Sequence, residues 1–255
     1  MAGLIAIAFV GGLAAGSFAT AVAHRVPRGM SVALARSQCP ACEAQIAAYD
    51  NVPLFSWLLL RGRARCCGAR ISPRYPLTEL TVGLLFVAVV LVYRDDPALA
   101  AIGLVFVAML AAVTLTDLEQ RIIPNRILLV GAVLCIAIAA PTDPGGLPER
   151  AIAAAAAGGL LFLSALAYPA GMGLGDVKLA AVMGLFLGVA VAPALLVALF
   201  AGSAVGIALL VRHGAGARKM AIPFGPFLAA GGVIGLLAGD QLIDLYNQLI
   251  DLYLG

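Results

Sequence analysis

The chain has 255 residues, of which 63% are hydrophobic and only 11% charged, with a mean hydropathy of +1.05. A soluble fold of this size cannot hide so much apolar surface, and disorder demands low hydrophobicity with high charge. With a net charge of only +3, the class left standing is an all-α polytopic membrane protein.

A helix needs about 20 apolar residues to cross the hydrocarbon core. That window predicts eight transmembrane helices, at about 3–23, 77–93, 98–116, 126–140, 151–170, 178–192, 194–211 and 221–239, with the last division placed at Pro193. The first segment begins Met1-Ala2-Gly3-Leu4 and meets its first positive charge only after the apolar run. That order is the reverse of a cleavable signal peptide, so a retained helix with its N-terminus outside is expected. Alternation then places 24–76, 117–125, 171–177 and 212–220 on one face, with boundary residues included. That face carries fourteen of the sixteen Lys and Arg residues, leaving Arg94 and Arg150 for the other. The asymmetry identifies it as cytoplasmic. The basic stretch from Arg25 to Arg74 is bracketed by membrane segments, so anionic lipid rather than nucleic acid accounts for it.

The expected organisation is a first transmembrane helix (1–23), a cytoplasmic cysteine-containing loop subdomain (24–76), a membrane core (77–239) and a tail (240–255). Small-residue pairs at four-residue spacing, Gly12/Gly16, Gly202/Gly206 and Gly231/Gly235/Gly239, let helices approach closely in lipid. The tail repeats Gln-Leu-Ile-Asp-Leu-Tyr at 241–246 and 248–253, and reads as an amphipathic interfacial extension.

Two acidic residues stand in unusual settings at cytoplasmic span ends: Asp117, shortly before Ile123-Pro124-Asn125, and Asp176, in Gly171-Met172-Gly173-Leu174-Gly175-Asp176-Val177-Lys178. Each has a plain reading as a helix cap, with Thr116 an alternative to Asp117. Taken together they point to chemistry. A carboxylate at a membrane boundary marks a wet cavity. Three glycines ahead of Asp176 allow close backbone approach and positive φ, and Pro124-Asn125 places irregular backbone at the same level. Converging carboxylates share one proton, so that one polarises a scissile carbonyl while the other activates water. This chemistry needs no metal and no cofactor for proteolysis.

These residues resemble the type IV prepilin peptidases, membrane aspartyl proteases of the GxGD class. The resemblance rests on Gly173-Leu174-Gly175-Asp176 with Lys178, and on Asp117 ahead of Pro124-Asn125. It extends through Gly16-Ser17-Phe18, His24-Arg25-Val26-Pro27, Cys39-Pro40-Ala41-Cys42, Asp50-Asn51-Val52-Pro53 and Ile71-Ser72-Pro73-Arg74-Tyr75-Pro76-Leu77-Thr78-Glu79, in order from about residue 10 to about residue 230. The resemblance implies Asp117 and Asp176 as the catalytic pair, supported by Gly173, Gly175, Lys178, Pro124 and Asn125. It implies cleavage of the leader of prepilins or pseudopilins after a glycine on the cytoplasmic side. For members with the large first loop it also implies N-methylation of the new N-terminus from S-adenosylmethionine. Glu79, at the junction of loop and membrane, either helps hold the amine or methyl donor or simply pairs with the loop.

Cys39-x-x-Cys42 and Cys66-Cys67 share that loop, where disulfides are disfavoured and four thiolates suit structural zinc. Against the family pattern, a second C-x-x-C would begin at position 64, which is Ala64. Cys39, Cys42 and Cys67 match, and Cys66 stands in only by placing adjacent ligands on one ion. Asp50 and Arg74 read as members of ion pairs. Three alternatives remain: a peptidase without methyltransferase activity, a proton- or cation-coupled transporter, and a non-enzymatic metal scaffold. A transporter calls for ionisable groups at the midplane and inverted repeats, and a scaffold leaves the glycine-aspartate loop idle.

Overall fold

A computed structural model describes residues 1–32, 37–168, 172–214 and 222–254. Arg36, Gly171, Arg218 and Lys219, all part of the sequence reading, lie outside these residues. The described residues are helical, with two isolated antiparallel bridges and no strand. The chain divides into two compact units, Met1–Arg94 and Asp95–Gly255.

The first unit contains α1 (Ala2–Arg25), a short α2 (Phe55–Leu59) and α3 (Arg74–Val92). Helices α1 and α3 pack along their length. A Cβ at Gly12 would sit 2.7 Å from the Gly83 Cα, and one at Gly16 would sit 2.8 Å from the Glu79 Cα. The small residues therefore do what their spacing promised: they let two backbones touch where the bilayer supplies no hydrophobic drive.

In the second unit, α4 (Pro97–Gln120) starts on the Asp96 side chain, which accepts the Ala98 and Leu99 N–H groups at 3.0 and 2.9 Å, a conventional N-cap with proline at the first helical position. It is followed by α5 (Asn125–Thr142), α6 (Leu147–Ala167), α7 (Leu174–Leu187), α8 (Val191–His213) and α9 (Gly225–Leu254). Packing joins α6 to α7, α8 to α9, and α4 to both α5 and α9. The core holds Leu110, Leu179, Met183 and Leu228, with Phe106 stacked on Phe186 at 4.7 Å.

Seven stretches of the described residues are long and apolar enough to cross a membrane, one of them the 40-residue run Leu174–His213. That run is not a single rod, since a straight helix of its length would reach about 60 Å, twice the hydrocarbon thickness. It breaks at Gly188, whose φ of 56° and ψ of −136° suit only glycine, and a 3-10 turn over Gly188–Ala190 leads into α8. The eight expected spans thus correspond to eight apolar helices, the break falling ahead of Pro193, which sits in the first turn of α8 where its missing N–H costs nothing. Polar caps secure the break. Arg150, buried, donates to the Phe186 carbonyl at 2.8 Å, and Glu149 accepts the Val189 N–H at 3.3 Å.

Small-residue packing also joins α8 and α9, where Gly231, Gly235 and Gly239 face Ala190 and Ala194. Gly202 abuts the Phe224 ring, whereas Gly206 has open space around it and serves no close contact. The C-terminal repeat is not a separate segment: α9 continues unbroken through it for 30 residues.

Candidate active site and metal centre

Asp117 lies in the last turn of α4 and is 6% exposed. Neither it nor Thr116 caps its own helix. The Thr116 hydroxyl donates back to the Ala112 and Val113 carbonyls. The Asp117 carboxylate instead accepts the backbone N–H of Gly225, first residue of α9, at 2.8 Å. A carboxylate at the end of α4 is disfavoured by that helix's dipole and favoured by the one it meets at the start of α9. Arg121 ends α4 in the left-handed region at φ 56°, and Pro124, in extended conformation, precedes the first residue of α5, Asn125.

Asp176 is the third residue of α7, not its cap; the cap position belongs to Gly173. Its carboxylate folds back to receive the Gly173 N–H, as the acidic residue of a capping box does. Neither Gly173 nor Gly175 adopts positive φ, so positive φ is not what these two glycines supply. Space is. A Cβ on Gly175 would stand 3.1 Å from the Ile123 side chain, and one on Gly173 would stand 3.3 Å from the Asp176 carboxylate. Glycine at 175 lets the start of α7 lie against the segment joining α4 to α5.

The result is convergence across 59 positions of sequence. Asp117 and Asp176 line one cavity of about 270 Å³, together with Gly173, Gly175 and Asn125, and their charges interact across it. Lys178 also borders it and donates to the Asn125 side-chain oxygen at 3.1 Å, tying α7 to α5 at the rim. Sequence reasoning missed Gly225. The signal was there in Pro223-Phe224-Gly225-Pro226, a helix-breaking cluster at the mouth of an apolar span, but its partner is 108 residues away.

In the first unit, the four loop cysteines gather with all sulfurs within 4.8 Å of one another. Two backbone knuckles present them, built alike. In one, the Cys39 N–H meets the Ala44 carbonyl, the Glu43 N–H meets the Cys39 carbonyl, and Glu43 takes φ 59°. In the other, Ala64, Ala69 and Gly68 repeat the same two bonds, with Gly68 at φ 71°. Superposed on the first knuckle, Cys67 falls where Cys42 does and Ala64 where Cys39 does, so the second lacks its first thiol. Cys66 supplies the fourth sulfur. It lies 3.3 Å from Cys42 and 3.9 Å from Cys67, while Cys39 lies 3.7 Å from Cys67. A zinc–sulfur bond of about 2.3 Å gives tetrahedral edges of about 3.8 Å, so the four sulfurs already have the spacing of a thiolate cage. None is in a disulfide. Backbone N–H groups of Ala41 and Cys42 hold the Cys39 thiol down to about 7. Cys66 is pushed up to about 12, chiefly by its hydrogen bond to Cys42.

Glu79, buried in α3, accepts the Leu54 N–H at 2.6 Å and holds that residue at φ 63° at the head of α2. It pairs with the loop backbone. Asp50 pairs with Arg65 at 2.9 Å.

A multi-pass membrane fold with two boundary carboxylates in one cavity is the arrangement of an intramembrane aspartyl protease. Residues 104–211 match the type IV leader peptidase family, and residues 10–93 match the bacterial peptidase A24 N-terminal domain. The chain is 34% identical over 252 residues to a Bacillus subtilis (strain 168) protein named prepilin leader peptidase/N-methyltransferase, covering 96% of this chain and 99% of that one. A protein of the same name from Aeromonas hydrophila is 38% identical over 221 residues, covering 83% and 74%, and one from Stutzerimonas stutzeri is 33% identical over 270, covering 94% and 93%. No solved structure matches. The chain belongs to the type IV leader peptidase family.

Proposed function

We propose that the protein removes the leader from type IV prepilins or pseudopilins after a glycine, on the cytoplasmic side of the bacterial inner membrane, and then methylates the exposed amine. The observation that supports this most is the shared cavity of Asp117 and Asp176, because carboxylates from α4 and α7 have no reason to meet at a bilayer boundary unless both act there. The pair holds one proton between them. The carboxyl form donates to the scissile carbonyl. The carboxylate takes a proton from water, whose oxygen adds to the carbonyl carbon. The tetrahedral species collapses by breaking the C–N bond, and the new amine leaves with the proton that the pair collected. The Gly225 N–H fixes Asp117 in place throughout, and Lys178 and Asn125 close the rim.

S-adenosylmethionine supplies the methyl group for the second activity, which the family name of the relatives carries and the first unit serves. Cys39, Cys42, Cys66 and Cys67 would hold a structural zinc, which would pin the two knuckles together. Proteolysis runs without it. A transporter finds no support, since the two carboxylates sit at span ends and not at the midplane.

The test is mass spectrometry of a prepilin substrate incubated with purified protein and S-adenosylmethionine, alongside Asp117→Asn and Asp176→Asn. Each variant is expected to lose cleavage by at least about 10³-fold, in keeping with removal of an essential acid–base group, while retaining its helical circular dichroism. Cleavage that survives either substitution overturns the dyad. Cleavage without an added methyl overturns the second activity.

A further inference from the structure

The first unit carries a second cavity, of about 470 Å³, that neither the dyad nor the cysteines use. Arg61, Arg63 and Arg70 wall it, with Trp57 and Pro73 among its other lining residues. Among the described residues no carboxylate lines it. Arg63 and Arg70 are direct partners in an antiparallel bridge, a placement that sets like charges opposite one another at a cost. Among the described residues none of the three arginines has a side-chain partner, the one ion pair being Arg65 with Asp50. Arg61 is also held at φ 50°, an unfavourable conformation for a residue with a Cβ. Three arginines lining one space, with no ion-pair partner among the described residues, are the setting for an anion.

The surroundings say which anion. The cavity is lined by Pro73, and α3, a membrane-crossing helix, starts at the next residue, Arg74. Its opening therefore stands at headgroup height. Beside it, α2 exposes Phe55, Leu58 and Leu59, the last at 82%. Trp57 lies between, its indole N–H fixed to the Ile71 carbonyl at 3.2 Å. An exposed apolar helix, an indole and an arginine cluster, joined by one cavity that reaches the residue before a membrane-crossing helix, match the acyl, interfacial and phosphate levels of a lipid. A sulfonium methyl donor, itself cationic, is repelled by these walls.

We propose that this cavity binds the phosphate of an anionic phospholipid of the cytoplasmic leaflet, with α2 seated among its acyl chains. The ligand neutralises the Arg63–Arg70 pair and fixes the loop to the membrane surface.

The test uses the full chain in nanodiscs of mixed phosphatidylglycerol and phosphatidylcholine, ejected for native mass spectrometry. Wild type is expected to retain phosphatidylglycerol over phosphatidylcholine. Arg63→Gln/Arg70→Gln is expected to lose about tenfold in that retention, since each basic residue near an anionic surface contributes to attraction. Arg126→Gln is expected to lose none. Should the double variant fail to fold, Arg61→Gln alone carries the same expectation at smaller size. In detergent, short-chain phosphatidylglycerol is expected to raise the melting temperature where inorganic phosphate at equal concentration does not. Equal retention of both lipids, unchanged retention in the variants, equal stabilisation by inorganic phosphate, or an S-adenosylmethionine adduct that the arginine variants abolish would each overturn the assignment. Prepilin cleavage is a separate readout, so a failure of this site is distinguishable from a failure of the dyad.

Discussion

At the scale of single residues, the side chain that Gly225 lacks matters most. A Cβ there would stand 2.7 Å from the Asp117 carboxylate oxygen, so Gly225→Ala must push the carboxylate away or break its 2.8 Å hydrogen bond. Displacements of about 1 Å at a catalytic group cost about 100-fold in rate. Gly225→Ala is therefore expected to lower kcat/KM for prepilin cleavage by about that factor, and Gly206→Ala, placed in open space, to leave it unchanged. Kinetics on a fluorogenic leader peptide decides. Lys178 invites the opposite expectation. Its bond to Asn125 is exposed and worth little, so Lys178→Met should change cleavage by less than about threefold.

At the scale of elements, the two knuckles of the cysteine loop define a repair experiment. Ala64 occupies the ligand position that Cys39 holds in the first knuckle, and Cys66 covers for it from two residues on. Ala64→Cys/Cys66→Ala should therefore bind zinc at least as tightly as wild type, whereas Cys66→Ala alone should lose about tenfold or more, as read by competition with a chromophoric chelator. Zinc binding requires thiolates, so affinity falls as pH falls. Cys39, held down to about 7, is already largely thiolate at pH 8, whereas Cys66 at about 12 is not. Calorimetry in buffers of different ionisation enthalpy should thus find fewer than four protons released per zinc at pH 8. The α1–α3 contact allows no such repair. Gly12→Val drives a branched side chain into the Gly83 backbone and should lower the melting temperature of the purified protein in detergent.

At the scale of the whole molecule, the chain has two compact units, each with its own family match, and the proposed function divides methylation and cleavage between them. Removing zinc by chelation is expected to abolish methyl addition while cleavage persists, and mass spectrometry of the product distinguishes the two. The spans were legible in the sequence because about 20 apolar residues in a row leave the backbone no other stable solution in lipid. The aspartates were legible one at a time, by their surroundings. Their meeting was implied by the family resemblance and not by spacing, since it depends on how α4 and α7 pack across 59 positions. The fourth thiol was visible only as an irregularity, because the equivalence of Ala64 with Cys39 lies in backbone hydrogen bonds and not in residue identity. Gly225 was hidden behind its resemblance to the packing glycines further along α9, and the break at Gly188 behind the continuous hydrophobicity of 174–213.

Helix α9 runs 30 residues from Gly225 to Leu254, about 45 Å of rigid rod, with its first N–H fastened to Asp117. Its far end extends beyond what a hydrocarbon core of about 30 Å can cover. A spanning helix of fixed apolar length answers a thinner bilayer by tilting, and a tilt of about 2° pivoting at one tip sweeps the other through about 1.5 Å over this length. The helix is thus a lever arm, and the thickness of the surrounding lipid becomes a mechanical input to the geometry of one carboxylate. Cleavage measured in bilayers of stepped acyl-chain length should pass through an optimum, and Gly225→Ala, already uncoupled from Asp117, should flatten it.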